Sequence, residues 1–280
     1  MSSNNPNNVV KVSVAAGVAT ITLNRPDAMN AMTSALMSGV KDALDTVVAD
    51  PSIRAVVLTG EGRGFCAGAD LKEVAGAGDQ SAAPVATEQT EQSGQSNGRV
   101  GDAYNSTMRA LYDCPVPTIA RVNGAAAGGG FGLALACDVV IAAESAFFVA
   151  TFGPRLGIVP DMGATWSIPR RVGRARALGI ALLGERISAV QAEEWGLIWQ
   201  AVPDAQLDAA TNDVVALLKA SSPGTVTRIR ETLDAAVDNS FSDQLELEMD
   251  HQAVLIARNM REGAKAFVEK REPAFSNQRD

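Results

Sequence analysis

Residues 122–138 read VNGAAAGGGFGLALACD, and the stretch sets helix-making residues against helix-breaking ones. Phe131 to Ala136 would make a good buried helix, yet Gly128, Gly129 and Gly130 stand at its entrance. Each glycine costs a helix about 0.5–1 kcal/mol relative to alanine. The stretch therefore marks a place that needs bare backbone. Phosphate loops are the first rival reading. The P-loop pattern fails for want of a lysine, and G-x-G-x-x-G fails because Leu133 and Leu135 occupy the third-glycine positions. What remains is a helix start whose N–H groups, with the positive end of the helix behind them, meet a partial negative charge at close range. A developing oxyanion is such a charge.

A hole of that kind uses two donors. FCAGADL (65–71) directly follows the buried strand AVVLTG (55–60) and offers the Ala69 N–H after Gly68. Ordinary tight turns, where a helix packs on a strand, would explain either segment alone. Around these two segments the chain alternates. VVKVSV (9–14) and VATITL (18–23) flank Ala15-Ala16-Gly17 as a hairpin, and Thr33 caps a helix carrying Leu36, Val40, Leu44, Val47 and Val48. A helix over 101–112, a strand at TIARV (118–122), the glycine-led helix, and strands at DVVIAA (138–143) and AFFV (146–149) follow. This is an α/β body, expected over residues 9–203 behind a flexible head at 1–8.

Residues 75–98 carry almost no large apolar side chains and are expected to form a mobile surface excursion within that body. Helices are expected near 174–183, 189–195, 204–220, 223–237, 242–258 and 261–270, with LIWQAV (197–202) extended between them. Residues 204–280 thus form a C-terminal helical region whose apolar faces, among them Leu245, Met249, Leu255 and Ile256, need a partner surface.

Composition narrows the function classes. The 280 residues are 46% hydrophobic and 20% charged with a formal net charge of −8, and no basic block exists to meet nucleic acid or an anionic membrane. No apolar run reaches the length of a membrane span, and MSSNNPNN lacks the core of a signal peptide. Cys66, Cys114 and Cys137 have no metal-like spacing and read as buried thiols of a cytoplasmic protein without a metal. Single candidates for chemistry fall away as well: His251 lies far from every motif, Asp138 and Glu144 flank a strand, and no serine or cysteine has a paired histidine.

NRPDAMNAM (24–32), GFCAGADL (64–71), VNGAAAGGG (122–130) and REGAKAFVEKREPAF (261–275) closely resemble the crotonase, or enoyl-CoA hydratase/isomerase, superfamily, over nearly the whole chain after residue 8. The resemblance implies a spiral of ββα units with a C-terminal helical trimerisation region. It implies an acyl-CoA thioester as substrate, coenzyme A entering only as part of it, and a homotrimer or dimer of trimers. It places the two oxyanion donors at Ala69 and Gly129. Side chains at 128–130 would hold the thioester off those amides. It also implies that the nucleotide lies near Ala67, Asp70 and Leu71, with Phe267 and Lys270 approaching it from a neighbouring subunit. Arg25 and Lys270 are the candidates for the cation that an acidic protein needs to hold a polyanion, a solvated surface charge being the alternative for each.

Hydratases of this family carry two glutamates, whose positions fall here at Gly132 and at Phe152 or Gly153. Neither is a carboxylate. Asp161, in LGIVPDMGATW (156–166), is the carboxylate that follows, and an ordinary helix cap is its competing reading. The longer context resembles the subgroup containing ring-1,2-epoxyphenylacetyl-CoA isomerases and related enoyl-CoA isomerases, in which this aspartate is the acid/base. Phe131, Gly132, Phe152, Ile158 and Trp166 are expected to line the acyl pocket, and apolar walls would raise the aspartate's pKa. Isomerisation of a double bond or ring epoxide leads. Hydration, and an acyl-CoA-binding protein without turnover, stand as alternatives.

Overall fold

Ala16 and Gly17, with φ of 50° and 78°, make the two-residue turn of the expected hairpin. It joins β1 (Val10–Ala15) to β2 (Val18–Leu23) in antiparallel register from Val10↔Leu23 to Ala15↔Val18. The computed structural model describes residues 9–76 and 102–279. The head at 1–8 and residues 77–98 of the expected excursion lie outside them. Ala19, Ile21 and Leu23 on alternate positions of β2 are fully buried, the period-two signature of a strand with one covered face. The Thr33 hydroxyl accepts from the Leu36 N–H at 3.2 Å and so caps α1 (Ser34–Ala49), which buries Leu36, Met37, Val40, Leu44 and Val47.

β3 (Ala55–Gly60) is buried at every position, as a parallel strand covered on both faces should be. β4 (Gly64–Cys66) follows at once, then α2 (Leu71–Gly76) and α3 (Asp102–Tyr112). The pattern repeats twice. β5 (Thr118–Val122) and β6 (Ala125–Ala127) lead into α4 (Gly129–Leu135), and β7 (Val139–Ala143) and β8 (Phe147–Val149) lead, through a π-helical turn at Phe152–Leu156, into α5 (Ala164–Leu183). Each turn of chain gives one strand to a long sheet and one to a short sheet before a helix closes it. This is the expected spiral of ββα units.

β9 (Ile187–Ser188), α6 (Ala189–Glu194) and β10 (Gln200–Val202) complete the two sheets. Among the described residues one sheet has six strands in the order β1-β2-β3-β5-β7-β10 and the other four in the order β4-β6-β8-β9. Of the second sheet only β8 is read from its own residues, as AFFV (146–149), while β4, β6 and β9 are not. Its strands of two or three residues are too short to show a period. Two further boundaries differ. α5 begins at Ala164 rather than 174 and is interrupted at Gly173 (φ 74°, ψ 166°). α7 (Leu207–Ala220) packs on β3, β5 and β7, so the α/β body runs on past 203. α8 (Pro223–Ala235) and α9 (Phe241–Leu255) then pack on each other, and α9 continues through a π-helical turn at Ile256–Met260 into α10 (Arg261–Glu269). No helix of the described residues is long and apolar enough to cross a membrane.

Candidate active site

The short sheet brings the two glycine-rich segments together. β4 pairs with β6 in parallel, Gly64↔Ala125 and Cys66↔Ala126, so the chain leaving each strand enters the same region. Contact is close: a Cβ added to Gly68 would lie 3.3 Å from the Gly129 nitrogen. Met32 N–H donates to the Gly68 carbonyl at 2.7 Å, and Asp70 N–H donates to the Met32 carbonyl at 2.9 Å. Successive peptides of an extended chain point opposite ways, so the Ala69 N–H between them turns away from Met32. Across the gap, Gly128 N–H donates to the Val149 carbonyl at 2.9 Å and Phe131 N–H to the Gly128 carbonyl at 3.0 Å. Gly129, the first residue of α4, has no partner in its own helix for its N–H. Ala69 and Gly129 both line one cavity of about 630 Å³.

The three glycines serve different ends. Gly128 turns the chain into the helix at φ 51°, ψ −126°, a conformation that suits only glycine. A Cβ on Gly129 would press on the Met32 Cε at 2.3 Å, and both residues line the cavity. Gly130 is different. A Cβ there would strike the Cys66 carbonyl oxygen at 2.3 Å, so this glycine permits α4 to lie on β4 and has no part in access.

Asp161 lies on the same cavity and is its one carboxylate among the described residues. The helix-cap reading fails, because the residue at the N-cap of α5 is Gly163 and no side chain caps it; only the Asp161 main-chain carbonyl accepts, from Ala164 N–H at 2.9 Å. No ion pair reaches the carboxylate among the described residues. Burial pushes its pKa above the usual carboxylate range, and its own backbone N–H opposes that only in part. Met32, Leu71, Phe152, Leu156, Ile158 and Met162 supply the apolar wall.

Of the residues expected at the site, Ala67, Ala69, Leu71, Gly129, Phe152, Ile158 and Asp161 meet in this cavity. Three expected lining residues do not. Phe131 is fully buried on the far side of α4, its ring 5.3 Å from that of Phe148. Gly132 is buried behind the Met162 backbone. Trp166 points elsewhere and meets Tyr112 edge-on at 5.4 Å with the Arg170 guanidinium over its ring at 4.2 Å. Arg25 and Asp70, expected at the nucleotide, hold each other at 2.8 Å. Arg25 also donates to the Ala31 carbonyl, and Asp70 accepts from Lys72 N–H at 3.1 Å. The pair braces the NRPDAMNAM segment to the Ala69 loop, and the guanidinium holds the Asp70 carboxyl below its ordinary pKa. Phe267 and Lys270 lie on or just after α10 and do not line the cavity, with Phe267 85% exposed.

Sequence reasoning missed Met32, Tyr104, Asn105, Thr151, Arg155, Leu156 and Met162, which complete the lining. Tyr104 precedes Met108 and Leu111 at helical spacing, which reads as core. Burial, together with the Glu73, Asp70 and Asp161 carboxylates, pushes its phenol upward, while a bond to Ser34 opposes. Cys66 is buried with its thiol pushed up to about 12 by desolvation, in keeping with packing. His251 bonds Thr232 at 2.7 Å across α8 and α9, away from this cavity. No cluster of three or more metal-ligating side chains occurs among the described residues.

The description of the enoyl-CoA hydratase/isomerase family matches residues 13–278. A 1,2-epoxyphenylacetyl-CoA isomerase of Escherichia coli is 42% identical over 93% of this chain and 95% of that protein. A probable enoyl-CoA hydratase of Rhodobacter capsulatus is 41% identical over 95% of this chain and 97% of its own length. Among solved structures, an enoyl-CoA hydratase from Polaromonas superposes with a TM-score of 0.84 at 32% identity, covering 95% of this chain and 99% of that one.

Proposed function

The chain belongs to the enoyl-CoA hydratase/isomerase family, and on that premise we propose that it is an acyl-CoA isomerase with Asp161 as its acid/base. One observation carries the reading: among the described residues a single carboxylate, its pKa raised, lines a mostly apolar cavity together with Ala69 and Gly129, whose backbone N–H groups have no backbone acceptor among those residues. The thioester oxygen accepts from Ala69 and Gly129. Ionised Asp161 removes a proton from C2, the negative charge moves onto that oxygen, and the two N–H donors stabilise it. Asp161 then returns the proton to C4, so a 3-enoyl thioester becomes the conjugated 2-enoyl thioester. No water enters the balance. Ala67 and Leu71 border the nucleotide side, and Phe267 and Lys270 reach a nucleotide held by a neighbouring copy in a homotrimer or a dimer of trimers.

Hydration is the second reading, favoured by the name of the Rhodobacter capsulatus relative. It asks for a group that orients water while another manages the proton, and among the described residues the cavity presents Asp161 alone as a carboxylate. The test is to follow a trans-3-enoyl-CoA to its conjugated isomer and to measure crotonyl-CoA hydration beside it. Isomerisation with α-proton exchange into deuterated solvent is expected. Efficient hydration that survives Asp161→Asn would sink both the reaction and the role.

A further inference from the structure

The family's first glutamate would stand at Gly132, and the structure shows what occupies its room. A Cβ built on Gly132 would meet the Met162 carbonyl oxygen at 2.4 Å, its Cβ at 2.7 Å and its carbonyl carbon at 3.1 Å. Two of these atoms are backbone and cannot turn aside as a side-chain end can. Met162 is held there. It is 5% exposed, adopts φ 52°, and is followed by Gly163 at φ 72°. Two left-handed residues in succession fold the chain sharply between Asp161 and α5, a conformation that costs energy for methionine and persists where surroundings enforce it. The Met162 side chain meets α4 a second time, its Cγ 3.1 Å from where a Cβ on Gly129 would be. Residues 129 and 132 are one helical turn apart, so a single methionine rests on both.

We infer that Gly132 is a positioning residue for Asp161: its bare backbone lets the 161–162 turn settle on α4, so that in this chain a side chain at 132 would displace the turn that carries the acid. The inference rests on the proposed role of Asp161. Any side chain at 132 would lift the turn by roughly the overlap it creates. Tyr104 from α3 and Arg155 from the π-helical turn are the other titratable and charged side chains on this cavity among the described residues.

The experiment compares Gly132→Ala, Asp161→Asn and wild type in kcat, KM and the pH dependence of kcat. With Gly132→Ala, kcat should fall by about 10–100-fold while KM changes little, as when an interaction made only in the transition state is lost. The acid limb should move to lower pH, because a lifted Asp161 is better solvated and ionises more readily. Simple overpacking would lower the melting point without moving that limb. If Gly132→Ala does not fold, Met162→Gly loosens the same contact from the other side, in a conformation that suits glycine, and should move the limb the same way. A folded variant with wild-type kcat and an unmoved limb, beside an inactive Asp161→Asn, overturns the inference alone. Full activity in Asp161→Asn overturns instead the reading on which it rests.

Discussion

At the scale of one residue, Asp161 sets function against stability. Its pKa is raised by burial, so the folded state holds the proton more tightly than the unfolded chain, whose aspartates titrate near about 3.9. Between that value and the folded pKa the unfolded state ionises first, so stability falls as pH rises through the window. Asp161→Asn removes the charge and keeps the shape. At neutral pH it should therefore melt higher than wild type, with the advantage shrinking as pH falls toward the unfolded value. Its kcat should drop by about 10²–10⁴ because no proton is moved. Melting curves across pH and turnover on one preparation check both signs; a variant less stable than wild type at neutral pH would show that the carboxylate is held by favourable contacts. The same residue shows what a single sequence can disclose. Asp161 was legible through its surroundings in LGIVPDMGATW, whereas Met162 beside it was not, since no local pattern announces a methionine with positive φ.

At the scale of elements, β4 and β6 do what neither glycine-rich segment does alone: their pairing places the Ala69 and Gly129 amides on one cavity. A Cβ at Gly129 would meet the Met32 Cε, the free end of a flexible side chain, before any backbone. Gly129→Ala should therefore fold with little loss of melting temperature but turn over more slowly, by up to the 10²–10³ that the loss of one oxyanion donor costs. Turnover equal to wild type would assign this glycine to packing, like Gly130. The brace between Arg25 and Asp70 acts on the same loop. Asp70→Asn should shift the urea unfolding midpoint only slightly, with a larger fractional loss in kcat/KM. These elements also explain what was misread. The apolar run of α4 names Phe131 as buried without saying whether it faces the core or the cavity. Arg25 finds its partner 45 residues away, which local spacing cannot reveal. The longer strands and α1 were legible because their periods run for enough residues to declare themselves.

At the scale of the molecule, the α8–α9 pair leaves apolar surface uncovered. Ile229, Leu233, Leu245 and Met249 line a groove of about 560 Å³, with Leu233 67% and Met249 66% exposed. An exposed apolar patch of this kind marks a surface that meets another protein. Phe267 stands open on α10 as well and does not line the cavity of its own chain. The proposed assembly would account for both if copies of the chain packed through the C-terminal helices and each lent α10 to its neighbour's nucleotide. Acyl-CoA should then stabilise the assembly, by about 2.7 kcal/mol at a hundredfold excess over Kd. Charged residues at the centre of the patch separate the two parts of this idea. If the proposed trimer forms through this patch, Leu233→Asp combined with Met249→Asp should shift the sedimenting species to monomer, since two carboxylates cannot be buried there unpaired. If α10 serves the neighbouring copy, the monomer should also bind acyl-CoA about tenfold or more weakly, the loss of one charge-assisted contact, while each chain keeps its own Asp161, Ala69 and Gly129. A monomer with undiminished acyl-CoA affinity would confine Phe267 and Lys270 to assembly, and an unchanged trimer would place the interface on another face.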